Sequence, residues 1–343
     1  MITFYALGVA AAPLTAPELC ATLARAAAWI DLLDPTPEEE QALEAVLGLN
    51  IPTREEMQSI ELSSRLYEDE GNLFMTGTVL TRADTSHPQS SAVTFILSGD
   101  KLVTLRYEDP VPFKTFHARR EANQLRYQTG PQFLGGIVDA IVERIADILE
   151  RVGLNLDHIS TKVFQPLSRK REPRGARGLV HSARGKARKA RQRDFVEVLR
   201  QIGAASDLVS RARESLVSFT RLVAYFHETS DAHGATRESQ AHVKTIVGDL
   251  GSLSDHATFL STKISFLLDA TLGMINNEQN AIIKVLSVAA LVFLPPTLVA
   301  GIYGMNFEFM PELHWAHGYP FALGLMLISA VLPYVIFRRR GWL

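Results

Sequence analysis

Between residues 285 and 337 the chain carries no Lys, Arg or Asp, and its only charged side chains there are Glu308 and Glu312. Two uncharged stretches lie inside that region, 285–302 and 319–337. Read as helices, each spans about 27 Å or more at about 1.5 Å per residue, which matches a bilayer core about 30 Å thick. Two transmembrane helices are therefore expected. A buried core hairpin is the soluble alternative, although two consecutive runs of this length are rare in soluble domains.

Charge then orients the expected spans. Thirty-two Lys and Arg precede Val285, none lies at 303–319, and Arg338, Arg339 and Arg340 follow the second stretch. Basic residues flanking a span stay cytoplasmic, so the expectation is a multi-pass protein of the cell inner membrane. Its N- and C-termini would be cytoplasmic and the 303–318 loop outside. Residues 1–12 hold no basic n-region, so a cleavable signal peptide is not expected. The single Cys20 excludes an intrachain disulfide and fits a reducing compartment.

The first part of the chain reads as a mixed α/β domain over 1–130. Thr36-Pro37-Glu38-Glu39-Glu40 is a helix start: a capping hydroxyl, proline at the first helical position, and carboxylates near the positive end of the dipole. Thr53 with Glu56 repeats it as a capping box. Strand-like runs follow at 73–80, 92–97 and 102–107, the last two joined by the short turn Ser98-Gly99-Asp100. Pro110 and Pro112 are read as the end of this domain.

From Pro131 helical periodicity dominates, as in Ile137, Ile141, Ile145, Ile148 and Val152. A second helix begins near Phe195, and the two read as an antiparallel hairpin over 131–240. Between them, 169–193 holds eleven Lys or Arg and one acid, Glu172. Clustered cations suit nucleic acid, but interleaved aromatics are missing, so a solvated hairpin tip, touching anionic lipid or balancing neighbouring acids, is preferred and no nucleic acid partner is expected. The remaining soluble part holds 21 Lys and Arg against 34 Asp and Glu. Divalent cations would be attracted to such a surface.

A long helix then runs from about Ala241, a stalk over 241–284 followed by the first span at 285–302. Leu250, Ala257, Ile264 and Thr271 repeat every seven residues, with Leu253, Leu260, Leu267 and Met274 three positions later. This a/d pattern packs either against the preceding hairpin or against other copies around a symmetry axis. Further along, one stripe at steps of three or four holds Asn280, Ile283, Ser287, Ala290, Leu294, Thr297 and Gly301. Facing a pore, its apolar members would form dewetting gates while Asn280 and Thr297 offer neutral oxygens to a hydrated ion. A helix–helix contact through small residues is the alternative. Pro295 and Pro296 remove two backbone donors within the span, and a kink is expected there.

The outer loop opens on Tyr303-Gly304-Met305-Asn306 and continues through Glu308 to Met310-Pro311-Glu312-Leu313. With its place at the end of the penultimate span, this sequence resembles the signature of the CorA family of magnesium and cobalt transporters. Trp29-Ile30-Asp31-Leu32, Pro52-Thr53-Arg54-Glu55-Glu56, Ser64-Arg65-Leu66-Tyr67 and Gly341-Trp342-Leu343 also resemble bacterial members. The resemblance implies an α+β cytoplasmic domain, a mixed sheet with helices, joined through the stalk helix to two C-terminal transmembrane helices in a funnel-shaped homopentamer. The first span would line the pore, and Tyr303, Gly304, Met305 and Asn306 would form its mouth. The second span is 319–337, with a basic cytoplasmic tail at 338–343.

Mg2+ gives up its water reluctantly, so neutral amide and carbonyl oxygens can recognise the hydrated ion without trapping it. Glu308 and Glu312 are read as an acidic vestibule, although their charge is screened within about 8 Å at physiological salt. The resemblance also implies a regulatory metal site between subunits, with Asp269 matching the stalk carboxylate and Asp84 a candidate partner. Mg2+ is then both cargo and regulator. The doubled proline and the basic block depart from the family pattern.

No nucleophile elbow, Walker loop or zinc-protease helix is present, so neither an enzyme nor an organic cofactor is expected. Flow would follow the membrane potential, with Co2+ or Ni2+ as further cargo. The partners expected are other copies of the chain, membrane lipids and divalent cations. A zinc transporter of the related ZntB branch, with or without proton coupling, is the nearest alternative, with His314 and His317 in its outer loop. A membrane-anchored oligomeric metal sensor or scaffold without a pore is the alternative of another class.

Overall fold

The computed structural model describes residues 1–6, 12–13, 17–59, 61–122, 127–164, 180–229, 237–305, 315 and 317–340. They form two compact units, Met1–Leu268 and Asp269–Leu343.

In the first unit the elements run β1 (Ile2–Ala6), β2 (Ala12–Pro13), α1 (Pro17–Ala26), β3 (Ala27–Leu33), α2 (Pro37–Leu47) and α3 (Arg54–Met57). A single 3-10 turn (Leu62–Ser64) leads into β4 (Leu66–Asp69), β5 (Asn72–Thr81), β6 (Gln89–Ser98) and β7 (Lys101–Arg106). Then come α4 (Val111–Ala122), α5 (Gly130–Phe164), α6 (Val180–Thr229) and α7 (Arg237–Tyr303), which continues into the second unit. Both capping boxes read from the sequence are formed. Thr36 accepts from the Glu39 amide while Glu39 accepts from the Thr36 amide, and Thr53 and Glu56 do the same. Each pair satisfies two donors that a helix start leaves open.

The sheet has seven strands in the order β2-β1-β3-β7-β6-β5-β4, with β3 and β7 parallel and every other pair antiparallel. Alternation along the strands sends Ile30, Leu32, Val103, Leu105, Phe74 and Ile96 to one face, where they bury Leu43, Leu49, Ile51 and Met57 from α2, α3 and their flanks. The opposite face carries Trp29, which packs on Phe116 of α4 and Phe133 of α5, and Phe95, which meets Phe219 of α6. The central strands are thus covered on both sides, which is why β5 and β7 read as continuous buried runs rather than alternating ones.

Three readings need correction. Pro110 and Pro112 do not end the domain: Pro110 precedes α4 and Pro112 lies in its first turn, where a missing N–H costs nothing. Four strands were missed: β1, the two-residue β2, the short polar-ended edge strand β4, and β3, whose apolar run is interrupted by Asp31. Helix α6 begins at Val180, well before Phe195, so the second part of the basic block is helical backbone.

The a/d series of α7 is used inside the chain. Leu250, Ala257, Leu260, Ile264 and Leu267 are buried, and matched contacts run along α5. These are Asp139 with His242 at 2.7 Å, Asp157 with Lys263 at 2.7 Å, and Phe164 stacked on Phe266 at 5.8 Å. The two helices therefore lie parallel, and over 250–267 the packing partner is the chain's own hairpin.

Candidate ion pathway

In the second unit, α7 continues to Tyr303 and α8 (Gly318–Arg339) follows. Both are long and apolar enough to cross a membrane, with mean hydropathy of 2.2 and 2.1 over their most apolar windows. Trp315 and Tyr319 stand exposed at the start of α8, and Arg338 and Arg339 at its end. Aromatics at one end of a membrane-length helix and cations at the other are the residues that favour the two membrane interfaces.

The stripe Asn280, Ile283, Ser287, Ala290, Leu294, Thr297 and Gly301 lies on unbroken helix and is solvent-accessible throughout. So is the rest of the span, as at Val285 and Phe293; what sets the stripe apart is chemistry, since amide, hydroxyl and small groups alternate there with Ile283 and Leu294. The helix passes through Pro295 and Pro296 without a break. Beside them the Thr297 hydroxyl donates to the Phe293 carbonyl at 2.7 Å, a back-bond that keeps its hydrogen on the backbone and turns its oxygen lone pairs outward.

At the outer end the last turn is closed by Gly304 N–H donating to the Ala300 carbonyl at 3.0 Å and Met305 N–H to the Ile302 carbonyl at 3.2 Å. A Cβ on Gly304 would sit 3.0 Å from the Ala300 oxygen, so the residue best fitted here is glycine. The chain thereby places the C-terminal carbonyls of a long helix, with the negative end of its dipole, beside Tyr303, Gly304 and Met305. Such an end attracts cations while offering only neutral oxygens. Asn306, Glu308, Glu312 and His314 lie outside the described residues, as do 169–179 of the basic block. His317 sits at the threshold of α8, its carbonyl accepting from the Phe321 amide at 3.0 Å.

The two regulatory candidates stand in different surroundings. Asp269 is exposed on α7, with no ion-pair partner among the described residues. Asp84, in the turn between β5 and β6, is gripped by Arg151 on one oxygen and by Arg144 at 2.6 Å on the other. The Arg151 bond above all, with Arg144 beside it, holds its carboxyl below the usual carboxylate range. Sequence reading missed these arginines. Their spacing of seven on α5 puts them on one helix face, which is the signal that marks a shared partner.

The family model described as CorA-like Mg2+ transporter protein matches residues 25–339. A magnesium transport protein CorA of Haemophilus influenzae is 32% identical over 317 residues, 92% of each chain. The protein of that name from Escherichia coli strain K12 is 31% identical over the same shares. Among solved structures, the CorA magnesium transporter of Methanocaldococcus jannaschii superposes with a TM-score of 0.71 at 18% identity, covering 100% of this chain and 99% of that one. With the family model matched across nearly its whole length, the chain belongs to the CorA-like Mg2+ transporter family.

Proposed function

We propose that the chain is one subunit of a homopentameric magnesium channel of the inner membrane, admitting hydrated Mg2+ past a ring of Asn306 amides and Gly304 carbonyls. One observation carries the reading. A membrane-length helix with a stripe of polar, small and apolar residues ends at Tyr303, where the sequence Tyr303-Gly304-Met305-Asn306 begins, in a chain 31–32% identical to proteins named magnesium transport protein CorA. The same identity favours magnesium over the zinc alternative.

The chemistry follows from the helix end. Neutral oxygens at the negative pole of the dipole attract a dication without holding it as a carboxylate would. Behind them Thr297 and Ser287 offer hydroxyls, and Leu294 and Ile283 form apolar rings that conduct only when wetted. No chemical fuel is needed, since a divalent ion moving inward gains about 4.6 kcal/mol per 100 mV, twice the single-charge value. Glu308 and Glu312 concentrate cations at the mouth.

For regulation we keep Asp269 as the candidate cytoplasmic ligand, because its carboxylate is free to meet a metal. Asp84 would bind one only by surrendering Arg144 and Arg151. Both termini lie in the cytoplasm. The test is ion flux into liposomes, comparing Mg2+ with Zn2+, with and without a pH gradient. Potential-driven Mg2+ uptake that ignores the pH gradient is expected. Proton-dependent Zn2+ uptake would favour the zinc alternative, and no flux of either would favour a sensor or scaffold.

A further inference from the structure

On the outer side of β5, where β4 stops pairing at Met75, the sheet edge is taken over by α6. The Thr78 amide donates to the Ser218 hydroxyl at 2.9 Å, and the Ser215 hydroxyl donates to the Thr78 carbonyl at 2.6 Å. Between this junction and the 62–66 segment lies a cleft of about 410 Å³. Three guanidiniums line it: Arg65, Arg213 and Arg221.

These arginines are set apart from their neighbours. On the same helix Arg200 pairs with Glu197 and Arg211 with Asp207, one turn away in each case. Arg213 and Arg221, two turns apart with Val217 between them, have no ion-pair partner among the described residues. Arg65 is fixed in place, its Nε donating to the Ser59 carbonyl at 2.6 Å and its Nη1 to the Thr78 hydroxyl at 3.1 Å. That leaves Nη2 uncommitted. The lone acid of the lining, Glu214, accepts from the Ser90 hydroxyl at 3.4 Å. Three cations facing one carboxylate repel each other until an anion joins them.

We propose that this cleft binds a polyphosphate anion, with a nucleoside di- or triphosphate the member of that class that fills it. Guanidinium forks match phosphate oxygens in bidentate geometry. The hydroxyls of Ser210 and Ser218 line the same wall, and Ser218, which accepts from Thr78, still has its own hydrogen to give. The volume lies within the range of about 300–1,000 Å³ typical of small-molecule sites, more than a single phosphate occupies. Leu62 and Val217, both exposed, supply an apolar wall for the remainder of a nucleotide.

The experiment is isothermal titration of the full-length protein in detergent, with divalent ions chelated, using ATP and separately pyrophosphate. Saturable binding is expected, and Arg213→Ala/Arg221→Ala should weaken it about tenfold or more, the loss expected from two charge-assisted contacts. Both positions are exposed, and an unchanged thermal unfolding midpoint verifies that the double variant folds. Arg211→Ala, outside the cleft, should bind as the wild type does. Tighter binding of ATP than of pyrophosphate identifies a nucleotide, and equal binding identifies inorganic polyphosphate; either supports polyphosphate recognition. Absence of saturable binding by both, or affinity unaltered in the double variant, would overturn the proposal. Neither result depends on ion transport.

Discussion

Asp31 stands in the middle of β3 at 3% exposure, where a charge is tolerated only with full compensation. Arg106 supplies it from the parallel neighbour β7, with Nη2 at 2.8 Å from one oxygen and Nε at 3.1 Å from the other. The Thr104 hydroxyl adds a bond of 2.6 Å, and Thr104 in turn accepts from the Trp29 indole at 3.0 Å. Breaking one partner of such a pair leaves the other buried and unpaired, at about 3–5 kcal/mol. Arg106→Leu should therefore lower the thermal unfolding midpoint of the detergent-solubilised protein by several degrees.

Nearby, His117 hydrogen-bonds through Nδ1 to the Tyr5 hydroxyl at 3.0 Å and stacks on Trp29. Burial first, against the opposing pull of Asp31, lowers its pKa below the ordinary histidine value of 6.5. The unfolded chain thus binds this proton more readily than the folded one. Stability is full above the unfolded value and declines as pH falls below 6.5 toward the folded one. The unfolding midpoint should drop between about pH 7 and about pH 5.5, and less so in His117→Phe. Neither Asp31 nor His117 stood out in the sequence as structural. An acid inside an apolar run reads as a break in the strand until its arginine, 75 residues away, is known.

At the scale of elements, local signals were the most legible. Thr36 with Glu39 and Thr53 with Glu56 fixed two helix starts because a capping box is complete within four residues. The start of α6 was missed because the sequence 180–193 is rich in Lys and Arg and carries no apolar period to mark a helix. The α7 heptads left their partner open, since the same repeat suits an intrachain or an intersubunit seam. Close contacts between elements were invisible for the same reason. At Gly130, where α5 meets the β6–β7 turn, an added Cβ would lie 2.5 Å from the Lys101 carbonyl carbon. At Gly77 it would lie 2.9 Å from the Phe219 ring. Backbone yields less than a ring edge, so Gly130→Ala should destabilise more than Gly77→Ala. Both should fall near the range of about 1–3 kcal/mol or above it, read as shifts in the unfolding midpoint.

For the whole molecule, the two membrane-length helices were legible from the absence of charge, because a bilayer penalises charged side chains along an entire span. The pore was legible only as chemistry. In the proposed channel its walls would be repeated copies of one stripe, and the single chain presents Asn280, Leu294 and Thr297 as exposed as the rest of the span. Regulation belongs to the same scale. Asp269→Asn should weaken inhibition of Mg2+ flux by Mg2+ on the cytoplasmic face, whereas Asp84→Asn should act mainly on stability by releasing Arg144 and Arg151. Flux and unfolding measurements on the two variants separate these effects.

Potential-driven Mg2+ uptake into liposomes, followed with a fluorescent indicator for the wild type and Asn306→Ala, bears most directly on the neutral-oxygen mouth. The wild type is expected to conduct and the variant to lose most of its uptake while keeping its assembly and unfolding midpoint. A variant that admits Mg2+ as fast as the wild type would contradict the assignment.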